Sequence, residues 1–339
     1  MKMNFLKVLA LGLILLRASD LSAANDNQFG TAGAQELKIP VGARNIAMAG
    51  AGIAGVHGVD AIFWNPAGLG SLEATQASIT HLDYLLDVSV NQAAVATKLG
   101  SMGVMALSIK ALTMGDIPVT TEQSPEGTGE LFAPAMTVVG LTFARQLTDR
   151  VSFGATGMFI SEDIHRVQAS GMAFDFGFVY DPQWHGLRFG ATMKNYGPDM
   201  AFTGSGFDKD VPLPGVDPGI PDKTVRTESS PFELPSFLQF GIGYDLINDN
   251  QSRAAVYGSY QSNNYSNDEV RMGAEYGWKE SIYLRGGYSG SSLDQYISGL
   301  TFGGGVRLKW GNTNLTFDYA WARAKYFDAN QWFSLGFEF

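Results

Sequence analysis

Residues 172–181, MAFDFGFVYD, alternate large apolar side chains with small or charged ones. Because successive side chains of a β-strand point to opposite faces, one face of this strand is aromatic and the other carries Ala, Gly and Asp. The same period of two recurs from about Thr75 to the last residue. The pattern predicts an all-β chain in which each strand separates an apolar environment from a polar one.

A soluble β-sandwich also alternates, but two features favour a membrane barrel. The apolar faces hold very large residues and several of them end in Tyr or Trp, as expected at the two interfaces of a membrane. The opposite faces are rich in Gly and carry charges of both signs, whereas a solvent-facing sheet would carry more Lys, Glu and Thr. We therefore expect the apolar face to meet lipid and the other face to meet the lumen.

The alternation predicts a single antiparallel transmembrane β-barrel of about fourteen strands over residues 75–339. The predicted strands are 75–83, 88–99, 102–112, 135–147, 150–161, 168–181, 185–196, 235–247, 252–261, 268–279, 281–289, 297–310, 313–323 and 331–339. Connections after even-numbered strands are short and those after odd-numbered strands are mostly longer, as in outer-membrane barrels. The even strand count places the N-terminal segment and the C-terminus on the short-turn, periplasmic side.

The longest connections are Thr113–Pro134 and Gly197–Leu234. The second contains six prolines, which cannot donate to a strand ladder, so we expect a loop without strands. On the barrel hypothesis it lies outside the cell, over the mouth of the lumen.

The N-terminus reads as a secretory signal peptide over residues 1–24. Lys2 and Lys7 precede the apolar run Val8–Leu16, and Ser22-Ala23-Ala24 supplies small residues for cleavage. The apolar run is shorter than the roughly 20 residues that a spanning helix needs. Signal and barrel together predict a location in the cell outer membrane.

Residues 25–74 lack the alternation and are rich in Gly and Ala. They are too few for a core of their own, so we expect a plug of turns and a short helix, near Ala43–Ala51, inside the barrel. Gly50–Gly55 matches GxGxxG, but without a strand before it and a helix after it we expect close packing and not a nucleotide site.

The chain has no cysteine and a formal net charge of −10, which exclude thiol chemistry and argue against nucleic acid as a partner. Its four histidines have no metal-site spacing, and no Ser–His–Asp arrangement stands out. Lumen-facing charges such as Asp175, Glu275, Arg285 and Asp318 are expected to pair with each other or with the plug; a catalytic carboxylate pair is the alternative. We predict no enzyme, no cofactor and no metal.

The last strand ends the chain with alternating apolar residues, Phe333, Leu335, Phe337 and Phe339. A terminal aromatic on such a strand resembles the insertion signal of bacterial outer-membrane barrels. This resemblance implies outer-membrane lipid and the barrel-assembly machinery as partners.

The N-terminal segment contains Gly42–Ala51 (GARNIAMAGA), Asp60-Ala61 and Trp64–Leu69 (WNPAGL). Together these stretches resemble the N-terminal signature of the PorV/PorQ family within the wider FadL-like outer-membrane proteins. Ala49 stands where that signature has Gly. Trp64 and the modest chain length favour PorV/PorQ over the longer fatty-acid transporters. The residues that carry the resemblance in the plug are Arg44, Met48, Trp64, Asn65, Pro66, Ala67, Gly68 and Leu69.

The resemblance implies two functions. PorV-like members act in type IX protein secretion, where they receive secreted substrates and associate with the translocon. FadL-like members let long-chain fatty acids and other hydrophobic compounds cross the outer membrane. We expect the secretion role, with a secreted protein or translocon subunit as partner. Transport of a hydrophobic small molecule is the alternative, and a structural or adhesive surface barrel is the third hypothesis.

Overall fold

The structure, a computed structural model, describes residues 30–211, 223–291, 299–324 and 327–339. Fourteen strands form one closed barrel in which every neighbouring pair is antiparallel. The barrel strands are β1 Gln76–Asp83, β2 Ser89–Lys98, β3 Val104–Thr113, β4 Ala135–Gln146, β5 Val151–Ile164, β6 Val167–Tyr180, β7 Leu187–Tyr196, β8 Phe237–Asn248, β9 Ser252–Asn263, β10 Glu269–Trp278, β11 Ile282–Ser291, β12 Gly299–Trp310, β13 Thr313–Ala322 and β14 Asn330–Glu338. The predicted fold is confirmed, with strand ends within a few residues.

The alternation that predicted the strands sorts their side chains between the two faces of the wall. On β6, Met172, Phe174 and Phe176 are 40–56% exposed on the outside. Ala173 and Asp175, which lie between them, are at most 1% exposed and face the lumen. Both termini of the barrel domain meet at one seam, where Gln76 of β1 pairs with Glu338 of β14.

Side chains of the last strand, β14, alternate between the two faces of the wall in the same way. Trp332 and Ser334 face inward and are buried, so Phe333, Leu335 and Phe337 lie on the outer face. Phe339 is exposed just beyond β14. Their role as an insertion signal stays a prediction.

Most connections after odd-numbered strands are longer than those after even-numbered strands, although only residues 165–166 join β5 to β6. The two longest connections contain small ribbons. Ile117–Pro118 pairs with Leu131–Phe132, and Asp208–Val211 pairs with Lys223–Arg226. The prediction of a strandless loop over Gly197–Leu234 is therefore wrong. Most of its prolines fall at positions 212–221, between the two ribbon strands, so they remove no donor from the ribbon.

Residues 30–74, called here the N-terminal segment, fold as a chain of short helices within the barrel. They are 3₁₀ helices and two α-helical turns: Gln35–Lys38, α1 Ala43–Ile46, Gly52–Ala54, Gly58–Asp60, α2 Ala61–Trp64 and Pro66–Ser71. The helix expected over Ala43–Ala51 is shorter than predicted. Ala49 and Gly50 have positive φ angles of 55° and 74°, which a right-handed helix does not accept.

The N-terminal segment runs along the lumen from one end of the barrel to the other. At the long-loop end, the Gly30 amide donates to the Tyr265 carbonyl (3.3 Å) and the Gly33 amide to the Glu233 carbonyl (3.1 Å). At the short-turn end the segment leads into β1. The expectation that it lies on the short-turn side is therefore wrong for its described beginning, because an even strand count fixes only where β1 starts.

The predicted signal peptide, residues 1–24, lies outside the described residues, as do residues 25–29 of the predicted plug. The cleavage point and the domain boundary at residue 74 stay predictions. No helix within the described ranges has the length and apolar character needed to cross a bilayer.

The closing register of the barrel can be tested because the chain has no native cysteine. Thr80 of β1 is paired with Ser334 of β14, and their hydroxyl oxygens lie 2.8 Å apart in the lumen. We expect Thr80→Cys with Ser334→Cys to form a disulfide on mild oxidation, detected as a shift on a non-reducing gel. Thr80→Cys with Phe333→Cys, whose second side chain points outward, is the matched control and should stay reduced. Equal cross-linking of both pairs would contradict this register.

Candidate functional site

The N-terminal segment touches the barrel wall at glycines that lie opposite each other on neighbouring strands. Three such pairs face it: Gly154 with Gly177, Gly190 with Gly241, and Gly273 with Gly287. A Cβ atom at any of these six positions would come within 3.0 Å of an atom of the segment. The glycines therefore leave the space that the segment fills.

The Asn65-Pro66 turn occupies the first glycine pair. The Asn65 side-chain amide donates to the carbonyl oxygens of Ile53 (3.0 Å) and Phe178 (3.2 Å). Its side-chain oxygen accepts from the Ala67 amide (3.2 Å), which caps the helix Pro66–Ser71 with Pro at its first position. Asn65 is fully buried, so all three of these bonds are made away from solvent. The turn thus connects the segment to itself and to β6.

The other two glycine pairs receive the middle of the segment. Ile53 and Ala54 lie against Gly190 and Gly241, and Met48 lies against Gly273 and Gly287. The GxGxxG stretch is therefore used for close packing, as the sequence predicted. Within it, a Cβ at Gly55 would lie 2.4 Å from the Tyr257 ring.

Trp64 joins the two halves of the sequence signature. Its indole N–H donates to the Val41 carbonyl (2.9 Å), and its ring leaves no room for a Cβ at Gly50. Gly68 is equally confined, because a Cβ there would lie 2.3 Å from the Val56 carbonyl oxygen. Ala67 and Leu69 are buried beside it. The structure thus brings the predicted plug residues into one packed unit, whereas the C-terminal aromatic residues lie apart on the outer face.

Arg44, on α1, ties this unit to a second part of the wall through an ionic network. It holds the Glu275 carboxylate with two bonds (Nε–Oε2 3.0 Å, Nη2–Oε1 2.9 Å). Arg285 binds the same carboxylate (Nε–Oε2 2.7 Å) and also Asp318 (2.5 Å). The network spans α1, β10, β11 and β13. Both carboxylates are thus held by arginines, as expected of lumen-facing charges that pair with each other and with the segment.

His57 completes the network as a neutral group. The Arg44 charge is the main cause that lowers the pKa of His57, to about 3. A neutral ring fits the contacts: Nε2 accepts from Arg44 Nη1 (2.9 Å) while Nδ1 donates to the Gly55 carbonyl (3.1 Å). Protonation of His57 would place two cations in contact.

A cavity of about 800 Å³ opens on the long-loop side of the segment; we call it the outer cavity. It reaches the connection between β1 and β2, through Leu85 and Leu86, and the connection after β9, through Ser266. Much of its lining is aromatic or aliphatic: Phe63, Trp64, Tyr84, Leu112, Met136 and Trp332. Its charged lining residues are Glu36, Lys38, Glu162, Lys194, Glu269 and Arg271.

Two ammonium groups contact the Phe63 ring beside the outer cavity. Lys110 Nζ is 5.2 Å and Lys194 Nζ is 4.8 Å from the ring centroid. Lys194 also donates to the Phe63 carbonyl (2.6 Å) and pairs with Asp175. Asn195, at a bulge between β6 and β7 with φ 56°, donates its amide to Asp175 (2.7 Å). The charges here are thus used to hold the segment.

A smaller cavity of about 250 Å³ lies on the short-turn side; we call it the inner cavity. It is lined by charged residues, including Arg44, Asp60, Arg285 and Asp318. Ile46 and Ala49 border the outer cavity while Arg44 borders the inner one. Helix α1 and the turn after it therefore form the layer that separates an apolar space from a polar one.

Sequence reasoning found Arg44 and the Trp64–Leu69 turn but missed the glycine pairs and the Glu36, Lys110 and Glu162 cluster. Glycine at inward positions of consecutive strands is the signal that could have located the contact. No group of three or more His, Asp or Glu side chains within the described ranges is placed to hold a metal ion.

The fold is similar to solved outer-membrane channels. The monoaromatic hydrocarbon channel CymD matches with a TM-score of 0.55 at 14% identity, over 91% of this chain and 97% of that one. The Pseudomonas putida toluene transporter TodX matches with a TM-score of 0.54 at 12% identity, over 86% and 96%. A Pseudomonas aeruginosa FadL homologue matches with a TM-score of 0.53 at 12% identity, over 89% and 98%.

At these identities the likeness shows the fold. No protein-family model matches the sequence. No curated protein matches it either. One of these neighbours is described as a FadL homologue, so the shared fold agrees with the architecture that the FadL-like resemblance implies, and the narrower PorV/PorQ assignment stays a prediction.

Filling the space under the Asn65-Pro66 turn should loosen the segment. A Cβ at Gly177 would meet the Asn65 side-chain oxygen at 2.2 Å, so we expect Gly177→Ala to cost on the order of 1–3 kcal/mol of segment docking. Limited proteolysis of residues 30–74 in the folded barrel measures the loss. Gly157→Ala on β5 is the control, because its Cβ would make an ordinary 3.7 Å contact with Phe174. Equal protease resistance of the two variants would contradict the packing described.

The ionic network should matter more than an exposed ion pair. Arg44→Gln leaves the buried Glu275 with Arg285 alone, so we expect a loss of roughly 3 kcal/mol in the denaturant stability of the folded barrel. Arg226→Gln is the control, since Arg226 pairs with Asp208 on an exposed ribbon (2.7 Å) and should change little. A loss in the control as large as in Arg44→Gln would contradict the role of the network.

Proposed function

We propose that this protein is an outer-membrane barrel that passes small hydrophobic compounds inward from its long-loop side. The observation that carries the proposal is the outer cavity, an apolar space of about 800 Å³ closed on its inner side by the N-terminal segment. A volume of this size with aromatic and aliphatic walls suits a small organic ligand. On this proposal the short-turn end, where β14 ends, faces the periplasm.

The outer face of the barrel supports a membrane location. Large apolar side chains are exposed around the wall, among them Ile79, Leu107, Leu141, Phe159, Phe174, Phe240, Leu284, Phe302, Phe317 and Leu335. In water such a surface would drive aggregation, but in a bilayer it needs no cover. Closure of the barrel leaves every strand paired, which is the condition for strands to lie in hydrocarbon.

The solved neighbours add support of a different kind. Two of them are described as a monoaromatic hydrocarbon channel and a toluene transporter, so barrels of this build carry apolar compounds. We therefore place hydrophobic transport before the secretion role that the sequence signature favoured. The secretion role and the PorV/PorQ assignment rest on that signature alone. None of the contacts of the signature residues separates a secretion component from a hydrophobic transporter.

On this proposal, the lining of the outer cavity and the N-terminal segment have different roles. The apolar lining takes the compound out of water, with a gain of roughly 25 cal/mol for each Å² of apolar surface buried. The segment then keeps the lumen closed, because Asn65 holds it to β6 and Arg44 holds it to β10. Passage inward requires the layer at α1 to move, since it stands between the two cavities.

The proposal is tested by filling the outer cavity. Met136 lines it and Leu141, on the same strand β4, points outward with 54% of its surface exposed. We expect Met136→Trp to lower uptake of radiolabelled toluene by about tenfold, the effect of roughly 1.4 kcal/mol in binding. Leu141→Trp, the matched control, should leave uptake unchanged. Uptake is measured in cells that carry equal amounts of each protein in the outer membrane.

Two uptake results, and one result on location, would contradict the proposal. One is uptake by cells with the unaltered protein that equals uptake by cells without it. The other is unchanged uptake with Met136→Trp, which would show that the outer cavity is not on the path. Absence of the folded protein from the outer-membrane fraction would remove the membrane premise itself.

A further inference from the structure

Two carboxyl groups meet at the edge of the outer cavity. Glu36 belongs to the 3₁₀ helix Gln35–Lys38 of the N-terminal segment, and Glu162 lies near the long-loop end of β5. Each residue is only 4% exposed, both line the outer cavity, and their side chains are within interaction distance of each other. The contact joins the first described helix of the segment to the barrel wall.

The residues directly beside the two carboxyl groups on the wall and on the segment are apolar. The cross-strand partners of Glu162 are Met136 and Ala169. Leu37, the neighbour of Glu36, is buried in a cluster with Ile160 and Ala169. The Oε1 atoms of Glu36 and Glu162 are both buried, and no donor among the described residues reaches either of them. Two ionised carboxylates in this position would repel each other and lack donors.

Several charged groups face the two carboxyl groups, and Lys110 supplies the one positive charge that remains for the pair. Lys110 of β3 donates to the backbone carbonyls of Glu36 (2.8 Å) and Ile39 (3.3 Å). Lys194 and Asp175, from β7 and β6, form an ion pair with each other. On the segment itself, Lys38 donates to Ser266 (3.1 Å) and faces Glu269 and Arg271 of β10, which are paired together.

One proton shared by the two carboxyl groups resolves this arrangement. It supplies a donor between oxygens that otherwise have none, and it leaves a single negative charge opposite Lys110. Burial is the main cause that raises the pKa of Glu36, which favours the protonated form. His165, three residues beyond Glu162, packs against the Phe132 ring at a tilted angle, with 4.9 Å between the ring centroids.

We propose that Glu36 and Glu162 form a proton-dependent latch that fixes the start of the N-terminal segment to the barrel wall. The latch is closed when the pair holds a proton. It opens when both groups ionise, because the charges then repel and Glu36 leaves the wall. Glu36 lies among Ala34–Pro40, which line the outer cavity, so opening changes the shape of that cavity. Its effect on uptake rests on the proposed function, whereas the latch itself does not.

The effect of pH on the equilibrium between the closed and the open latch follows from the number of protons that each state binds. The closed state binds one more proton than the open state, so it is favoured at low pH and lost as pH rises through the pKa of the pair. Within that window the ratio of open to closed protein should change by about tenfold per pH unit for one proton released. Below the window the latch stays closed.

A spin label placed at Gln35→Cys reports the motion of this helix. Gln35 is exposed beside the latch, and the label is unique because the chain has no cysteine. We expect the mobile fraction in the electron paramagnetic resonance spectrum to grow as the pH rises from about 5 to about 9, a range that a raised carboxyl pKa would cross. The full-length protein, in lipid bilayers, is used throughout.

The matched variant is Glu162→Gln. Its side-chain amide can donate to the Glu36 carboxylate at every pH, so the label should stay immobile across the range. A label at Ser71→Cys, at the short-turn end of the same segment, controls for general effects of pH. A mobile fraction that does not change with pH in the unaltered latch, or that changes equally in Glu162→Gln, would overturn the proposal.

Toluene uptake is measured in parallel at each pH, which separates the two proposals. If uptake is absent at every pH while the label responds as expected, the latch stands and the transport function fails. If uptake is present but the label gives either contrary result, the function stands and the latch fails.

Discussion

The close approach of the N-terminal segment to the barrel wall is the constraint on which the rest of the structure depends. It is possible because glycines face each other across neighbouring strands, as Gly177 and Gly154 do beneath the Asn65-Pro66 turn. Where the wall has no side chain, the segment can bring its backbone to it and form bonds such as that from Asn65 to the Phe178 carbonyl. The position of the segment then fixes both cavities, because it is the layer between them.

The charges inside the barrel follow from the same arrangement. A buried ion costs several kcal/mol unless it is paired and hydrogen-bonded. Here the cations bind partners on other elements: Arg44 of the segment binds Glu275 of β10, and Lys194 of β7 binds Asp175 of the neighbouring β6. These pairs set where the segment lies along the barrel. The Glu36 and Glu162 pair differs, because two like groups are brought together and need a proton to stay there.

The strands could be predicted because period-two alternation is local: the ten residues 172–181 already separate the two faces. The contacts of the N-terminal segment with the wall could not be predicted, since Asn65 and Phe178 are 113 residues apart and no local pattern pairs them. The helix after Ala43 was overestimated because the left-handed turn at Ala49 and Gly50 has no strong signal in a run of small residues. The sequence signature pointed to a secretion role, but Asn65 and Pro66 hold the segment to the wall, a need shared by any barrel with this interior. The signature therefore predicts a barrel whose interior holds an N-terminal segment, and it does not by itself assign a function.

The spread of the glycine pairs around the wall has a consequence for how the protein is assembled. The pairs lie on β5 with β6, β7 with β8, and β10 with β11, and Asn65 also bonds within the segment. No single hairpin offers more than one of these sites, so the segment has no complete binding surface until the middle strands stand side by side. The N-terminal segment precedes these strands in the chain, yet it can dock only after they have come together.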